Sequence, residues 1–166
     1  MSMGRFLAAG TLLAAAHGAS LGAGEPCHDA ALTTRALHRL NALRAEGLTC
    51  GHVAQAPAPP LAWSARLTDA AAAHAQDMAE RNQMAHTGRD GSRGGDRLLR
   101  AGYDWQVWAE NLGTGTRSVD ELMRLWAASP GHCANLMLND LQQMGLACAV
   151  GRNGRAFWSL TLGTLR

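Results

Sequence analysis

A proline set between two helical patterns constrains this chain more than any other feature. It stands in the stretch Ser129-Pro130-Gly131-His132-Cys133-Ala134-Asn135-Leu136-Met137. The residue ahead of a proline is pushed out of the α region, so a helix arriving at Ser129 must stop there. Pro130 is equally suited to the first position of a new helix, with Ser129 as its N-cap. His132 then falls in the first helical turn, where the positive end of the helix dipole disfavours a charged imidazole. A histidine kept neutral is a competent metal ligand or base near pH 7. Taken alone, the stretch reads equally well as a capped helix that happens to carry a histidine.

The neighbouring Cys133 makes the compartment matter. Residues 1–24 read as a secretory leader, with Arg5, an apolar run from Phe6 to Ala16 and then small residues. That run is too short for a good membrane span. Cleavage is expected between Gly18 and Glu25, and the Gly24-Glu25-Pro26 ahead of Cys27 does not suit a lipoprotein signal. Residues 25–166 are then expected to form a single domain with a sizeable core, secreted or periplasmic, monomeric and without a membrane span. All 15 basic residues are arginines, set against 13 acids. With no basic run or aromatic-basic alternation, nucleic acid is not an expected partner. Four cysteines, at 27, 50, 133 and 148, read in an exported chain as two disulfides with three possible connectivities. Spacing favours Cys27–Cys50 and Cys133–Cys148. A four-cysteine zinc site is the weaker alternative, because no C-x-x-C pair exists.

Periodicity places the remaining elements. A helix is expected from Ala30 to Glu46, capped by Asp29 and stopped by Gly47, with Leu32, Ala36, Leu40 and Leu43 on one face. Residues 48–61 are expected to be a loop, since Pro57, Pro59 and Pro60 break regular structure. Ser64 caps the longest helix, to about Asn82, whose apolar stripe includes His74; that histidine reads as a core residue with a local hydrogen bond. The polar loop Met84–Ser92 leads to a short helix near Asp96–Ala101, and Trp105–Leu112 reads as a strand ending in Ala109-Glu110-Asn111-Leu112. Glu110 follows aromatic and apolar residues, so solubility does not explain it. Ser118-Val119-Asp120-Glu121 is a capping box opening a helix with Val119, Leu122, Met123 and Trp126 inside. Two strands, Met144–Val150 and Arg155–Leu162, flank an Asn153-Gly154 turn signal. Helices before, between and facing these strands make the class α+β with a small antiparallel sheet.

The joint order and spacing of several pieces resemble the CAP family (cysteine-rich secretory proteins, antigen 5 and pathogenesis-related 1; SCP domains). They include Leu40-Asn41-x-x-Arg44, Leu61-x-Trp63, Ala72-x-His74-Ala75, His86-Thr87, Asp90-Gly91-Ser92, Glu110-Asn111-Leu112 and Trp126 through His132, with Phe157-Trp158 near the end. The likeness spans about residues 37–163. It implies a three-layer α-β-α sandwich with a surface cleft holding two histidines and, in many members, two glutamates. Carried over, these are His86, His132 and Glu110; where the second glutamate belongs, three residues after Trp126, this chain has Ser129.

Two imidazoles and a carboxylate suit a divalent metal, zinc first. The resemblance favours the arrangement in which the histidines bind alone while Glu110 orients a ring or a water from outside. The ligand beyond a metal is expected to be a small molecule, a lipid or a protein. Two other readings stand beside this one. One is a metal-dependent hydrolase or peptidase using His86, Glu110 and His132; the other is an extracellular interaction module without cleft chemistry. A serine-histidine-glutamate hydrolase built on Ser129 is disfavoured, because the cap role would occupy the hydroxyl and no nucleophile elbow surrounds it.

Overall fold

The strand Ala156–Leu165 is buried at every position from Ala156 to Thr164, so both its faces must be covered. Its alternation decides by what. Trp158, Leu160 and Leu162 pack with Leu40, Leu122, Trp126 and Leu136. Phe157 packs with Met78 and Ala79, while the Thr161 hydroxyl donates to the Leu67 carbonyl at 2.7 Å. The computed structural model describes residue 27 and residues 31–166. The leader expected over 1–24 and the Asp29 cap lie outside them.

In chain order the elements are α1 (Leu32–Glu46), β1 (Leu48–Cys50), β2 (Val53–Gln55), β3 (Ala62–Trp63), α2 (Ala65–Arg81), α3 (Gly94–Arg100), β4 (Trp105–Thr114), α4 (Val119–Ala128), α5 (Pro130–Met137), β5 (Gln143–Val150) and β6 (Ala156–Leu165). The main sheet runs β3-β5-β6-β4. It is antiparallel except at one edge, where β3 runs parallel to β5. α2 covers one face, with α3 beside it, and α1, α4 and α5 cover the other. This is an α-β-α sandwich. Gly145 lets α2 approach the sheet: a β-carbon there would stand 2.2 Å from the Thr68 amide nitrogen.

The residues 48–61 depart from expectation. Their first part is a two-stranded antiparallel hairpin, Leu48–Cys50 against Val53–Gln55, turning at Gly51 with φ +66°. The prolines follow the hairpin instead of interrupting it, so they do not block its ladder. The hairpin lies against α5, where a β-carbon on Gly51 would meet the Pro130 ring at 3.2 Å. That contact overturns the expected disulfides. The bonds are Cys50–Cys133 and Cys27–Cys148, with Cα atoms 5.4 and 5.1 Å apart. Loop-closure entropy rises only slowly with length, so short spacing is a weak guide to pairing. Packing of β1 on α5 decides it, with Cys50, Cys133, Ala58 and Met137 forming one buried cluster.

Two polar residues of α1 hold this face together. Asn41 pairs with the Leu61 backbone in both directions, at 2.9 and 2.8 Å. Arg44 is fully buried and donates to the carbonyls of Pro59, Leu136 and Leu138. Its charge thus meets the carbonyl end of α5, the negative pole of that helix.

Candidate functional site

Glu110 sits inside β4, opposite Thr161 of β6, and is only 5% exposed. A buried carboxylate needs a partner, and two are present. Arg97 Nη2 donates to Oε2 at 2.6 Å, and the His86 ring meets Oε1 through Nδ1 at 2.8 Å. Arg97 comes from α3 and is itself buried. Its guanidinium also donates to the carbonyls of Ser92 (2.9 Å) and His86 (3.1 Å), so one side chain fastens the 86–92 loop to β4. Within that loop Asp90 accepts the Ser92 amide at 2.9 Å and Gly91 turns with φ +79°. The hydrogen bonds from Ser92, and then the Arg100 contact, hold the Asp90 carboxyl far below the usual carboxylate range. Arg97 is the member of this arrangement that sequence reasoning missed. The available signal was Glu110 itself, an acid on an apolar strand that calls for a cation.

His132 is delivered by the α4–α5 junction. Ser129 is extended (φ −97°, ψ 119°), and Pro130 occupies the first turn of α5. The expected N-cap bond from the Ser129 side chain does not form. The hydroxyl instead meets His132 Nδ1 at 3.0 Å, and only the Ser129 carbonyl serves the helix, accepting from the Cys133 amide at 2.8 Å. Burial, and then the charge of nearby His86, lower the His132 pKa from its ordinary value. α5 is tied to the Glu110 strand by amides: Asn111 donates to the His132 carbonyl at 3.1 Å, and Asn135 donates to Asn111 Oδ1 at 2.9 Å. The disulfide Cys50–Cys133 anchors the next residue.

His86 and Glu110 share a cavity of about 470 Å³ with Trp108, Asn135 and Leu138. His132 is not part of that lining, although it feels the charge of His86. Among the described residues no three His, Cys, Asp or Glu side chains gather as a metal cage. Both Glu110 oxygens are engaged, one by Arg97 and one by His86, so the carboxylate is not free to be a third ligand. What these residues leave for an ion is at most the two imidazoles, with Glu110 behind one of them. They do not fit a His-His-Glu triad of ligands. Nor do Ser129, His132 and Glu110 form a hydrolytic relay, because Glu110 bonds the other histidine. His74 lies where the sequence reading put it, 1% exposed, with Nε2 on the Ala85 carbonyl at 2.9 Å.

A family model described as "CAP: Cysteine-rich secretory protein family" matches residues 37–162. No curated protein matches the sequence. Among solved structures, an extracellular protein containing an SCP domain from Bacillus anthracis is similar, with a TM-score of 0.60 and 24% identity over 79% of this chain and 41% of that one. An outer surface protein from Borrelia burgdorferi gives a TM-score of 0.63 and 19% identity, covering 81% of this chain and 96% of the other. A cysteine-rich secretory protein from Staphylococcus aureus gives a TM-score of 0.54 and 18% identity, covering 79% and 38%. The chain thus spans about two fifths of the Bacillus and Staphylococcus proteins. At these identities the likeness establishes the fold.

Proposed function

The chain belongs to the cysteine-rich secretory protein (CAP) family, and from that premise we propose an exported binding protein whose cleft holds a divalent metal ion, zinc first, through His86 and His132. Export is supported by the leader pattern of residues 1–24 and by two disulfides, which persist in oxidising compartments. It is also in keeping with the extracellular Bacillus protein and the outer surface Borrelia protein. No helix among the described residues is long and apolar enough to cross a membrane.

One observation carries the metal reading. Each ring spends Nδ1 on an internal partner, His86 on Glu110 and His132 on Ser129, and each keeps Nε2 uncommitted. The Glu110 carboxylate can only accept, so it fixes the His86 tautomer that presents Nε2 as a lone pair, whereas the Ser129 hydroxyl, donor or acceptor, holds the His132 ring in place. Glu110 is then a positioning residue, and Arg97 positions Glu110. A bound ion would supply an open Lewis-acid position for an oxygen donor of a small molecule, a lipid or a protein. Nothing in the arrangement assigns a reaction.

Calorimetric zinc titration of the oxidised protein tests the reading. His86→Ala and His132→Ala should each weaken binding at least about tenfold, and affinity should fall on acidification as protons compete for imidazole, with the His132 share of the loss below its ordinary value near 6.5. Unchanged affinity in both variants overturns the site, although the fold would stand.

A further inference from the structure

β4 is the end strand of the main sheet, so one of its edges pairs with no other strand. The register fixes which groups that edge presents. Gly151 N–H donates to the Arg155 carbonyl, which turns the odd-numbered residues of β6 toward β5 and the even-numbered ones toward β4. The Gly115 N–H, donating to the Ala156 carbonyl, follows the same parity. Trp108, Glu110 and Leu112, opposite Gly163, Thr161 and Ser159, therefore aim their amides and carbonyls away from the sheet. Two of those carbonyls are taken, that of Leu112 by Trp126 Nε1 at 2.8 Å and that of Glu110, more loosely, by Asn135 at 3.3 Å. The Trp108 amide and carbonyl and the Glu110 amide have no hydrogen-bond partner among the described residues.

This stretch of edge, Trp108 to Glu110, lines the cavity that holds His86, between Gly94 at the start of α3 and Asn135 of α5. Unpaired strand donors and acceptors are a template for another extended chain. Charge selects that chain. Glu110 is the only acid in the lining, and Arg97 pairs with it. Arg93, exposed on the same wall, forms no ion pair; the neighbouring Asp96 carboxylate accepts from the Arg93 backbone amide at 2.9 Å instead. The faces also differ. Trp108 and Glu110 share the side that meets Gly94 and Arg97 of α3, whereas Ala109 packs in the cluster on the other side. Leu138, 39% exposed, gives the cavity an apolar surface just beyond α5.

We propose that the open edge of β4 takes an extended segment of another protein as an added antiparallel strand, with an acidic residue opposite Trp108. That residue exchanges both backbone bonds with Trp108. Its carboxylate lies on the α3 side with Arg93, and the apolar residues flanking it turn to the other face, the side of Leu138. The proposal names the partner of the cleft and rests on the binding-protein reading only for its place; no metal enters the backbone argument.

The probe is the peptide acetyl-Thr-Val-Glu-Val-Thr-amide, titrated at low salt into the oxidised, chelator-treated protein and followed by backbone amide shifts and amide hydrogen exchange. Binding should slow exchange at Trp108 and Glu110 and leave Ala109, which faces Leu162 of β6, unchanged. Methylating the peptide's Glu nitrogen should weaken binding about tenfold or more, because that N–H faces Trp108. Methylating either Val nitrogen, which faces away, should change it less than about threefold. These changes lie in the ligand, so none of them asks the protein to refold. Glu to Gln in the peptide should weaken binding about threefold, and Arg93→Gln, at an exposed position, should erase that difference. The proposal is overturned if the Glu and Val methylations cost the same, if Arg93→Gln keeps the preference for Glu, or if no peptide binds at millimolar concentration. It is overturned equally if the Trp108 and Glu110 amides of the free protein become protected as its concentration rises, since the edge would then pair with a second copy. The protein is metal-free throughout, so failure here leaves the zinc reading standing, and failure of the zinc titration leaves this one.

Discussion

Replacing Arg97 with methionine should cost more stability than any other single change near the site. The Arg97–Glu110 pair is enclosed, with side chains 7% and 2% exposed and a contact of 2.6 Å. Removing one member of a buried pair leaves an uncompensated charge, at a cost of roughly 3–5 kcal/mol. His86 offers a partial substitute on the other carboxylate oxygen, but its ring is 64% exposed and solvent screens it. The Ser92 carbonyl is buried but keeps the Gly88 amide at 2.9 Å, and the His86 carbonyl belongs to an exposed residue that regains water, so these two bonds add little. We therefore expect about 3 kcal/mol, a large part of the about 5–15 kcal/mol typical of a domain. The assay is denaturant unfolding under oxidising conditions, in which the midpoint should fall while the slope is unchanged. The double variant Arg97→Met/Glu110→Gln should be more stable than Arg97→Met by at least about 1.5 kcal/mol, since a neutral amide demands no counter-charge. If Arg97→Met costs less than about 1 kcal/mol, or the two changes simply add, the pair does not hold the loop and the argument fails.

Four further outcomes follow from the geometry. Non-reducing peptide mapping should recover Cys27 linked to Cys148 and Cys50 linked to Cys133, and Cys50→Ala/Cys133→Ala should lower stability by about 2–5 kcal/mol. Ser129→Ala should change stability by less than about 0.5 kcal/mol, because the side chain caps nothing, yet weaken zinc binding about tenfold by releasing His132 Nδ1; Ser129→Glu should tighten it. Arg44→Met should destabilise by about 2–4 kcal/mol in the same unfolding assay, because it strips three carbonyls of a charged donor. Burial lowers the His74 pKa, so between its folded value and the unfolded value near 6.5 the unfolded chain binds more protons. Stability should therefore decline as pH falls below about 6.5, and His74→Gln should flatten that slope in apo protein.

Much of this molecule is written locally. Ser64 caps α2 through the Leu67 amide, and Asn82 ends the same helix in the left-handed region, as residue type alone requires. Pro130 breaks α4 from α5, Gly154 turns β5 into β6 with φ +75°, and the alternation of β6 sets Trp158, Leu160 and Leu162 on one face. His86, Glu110 and His132 stood out as candidates because each occupies a place in the chain that a core would not choose. The partners of these residues were not legible. Nothing in the neighbourhood of Glu110 along the chain names Arg97, and nothing near Cys50 names Cys133, 83 residues away. Ser129 had a sound local role as a cap, and the structure gives its hydroxyl to His132 instead. Capping, turns and periodicity are interactions among residues a few positions apart, so sequence order contains them. Ion pairs, disulfides and shared cavities depend on which surfaces the folded layers bring into contact, and here that was decided by β1 packing on α5 and by α3 closing the loop over β4.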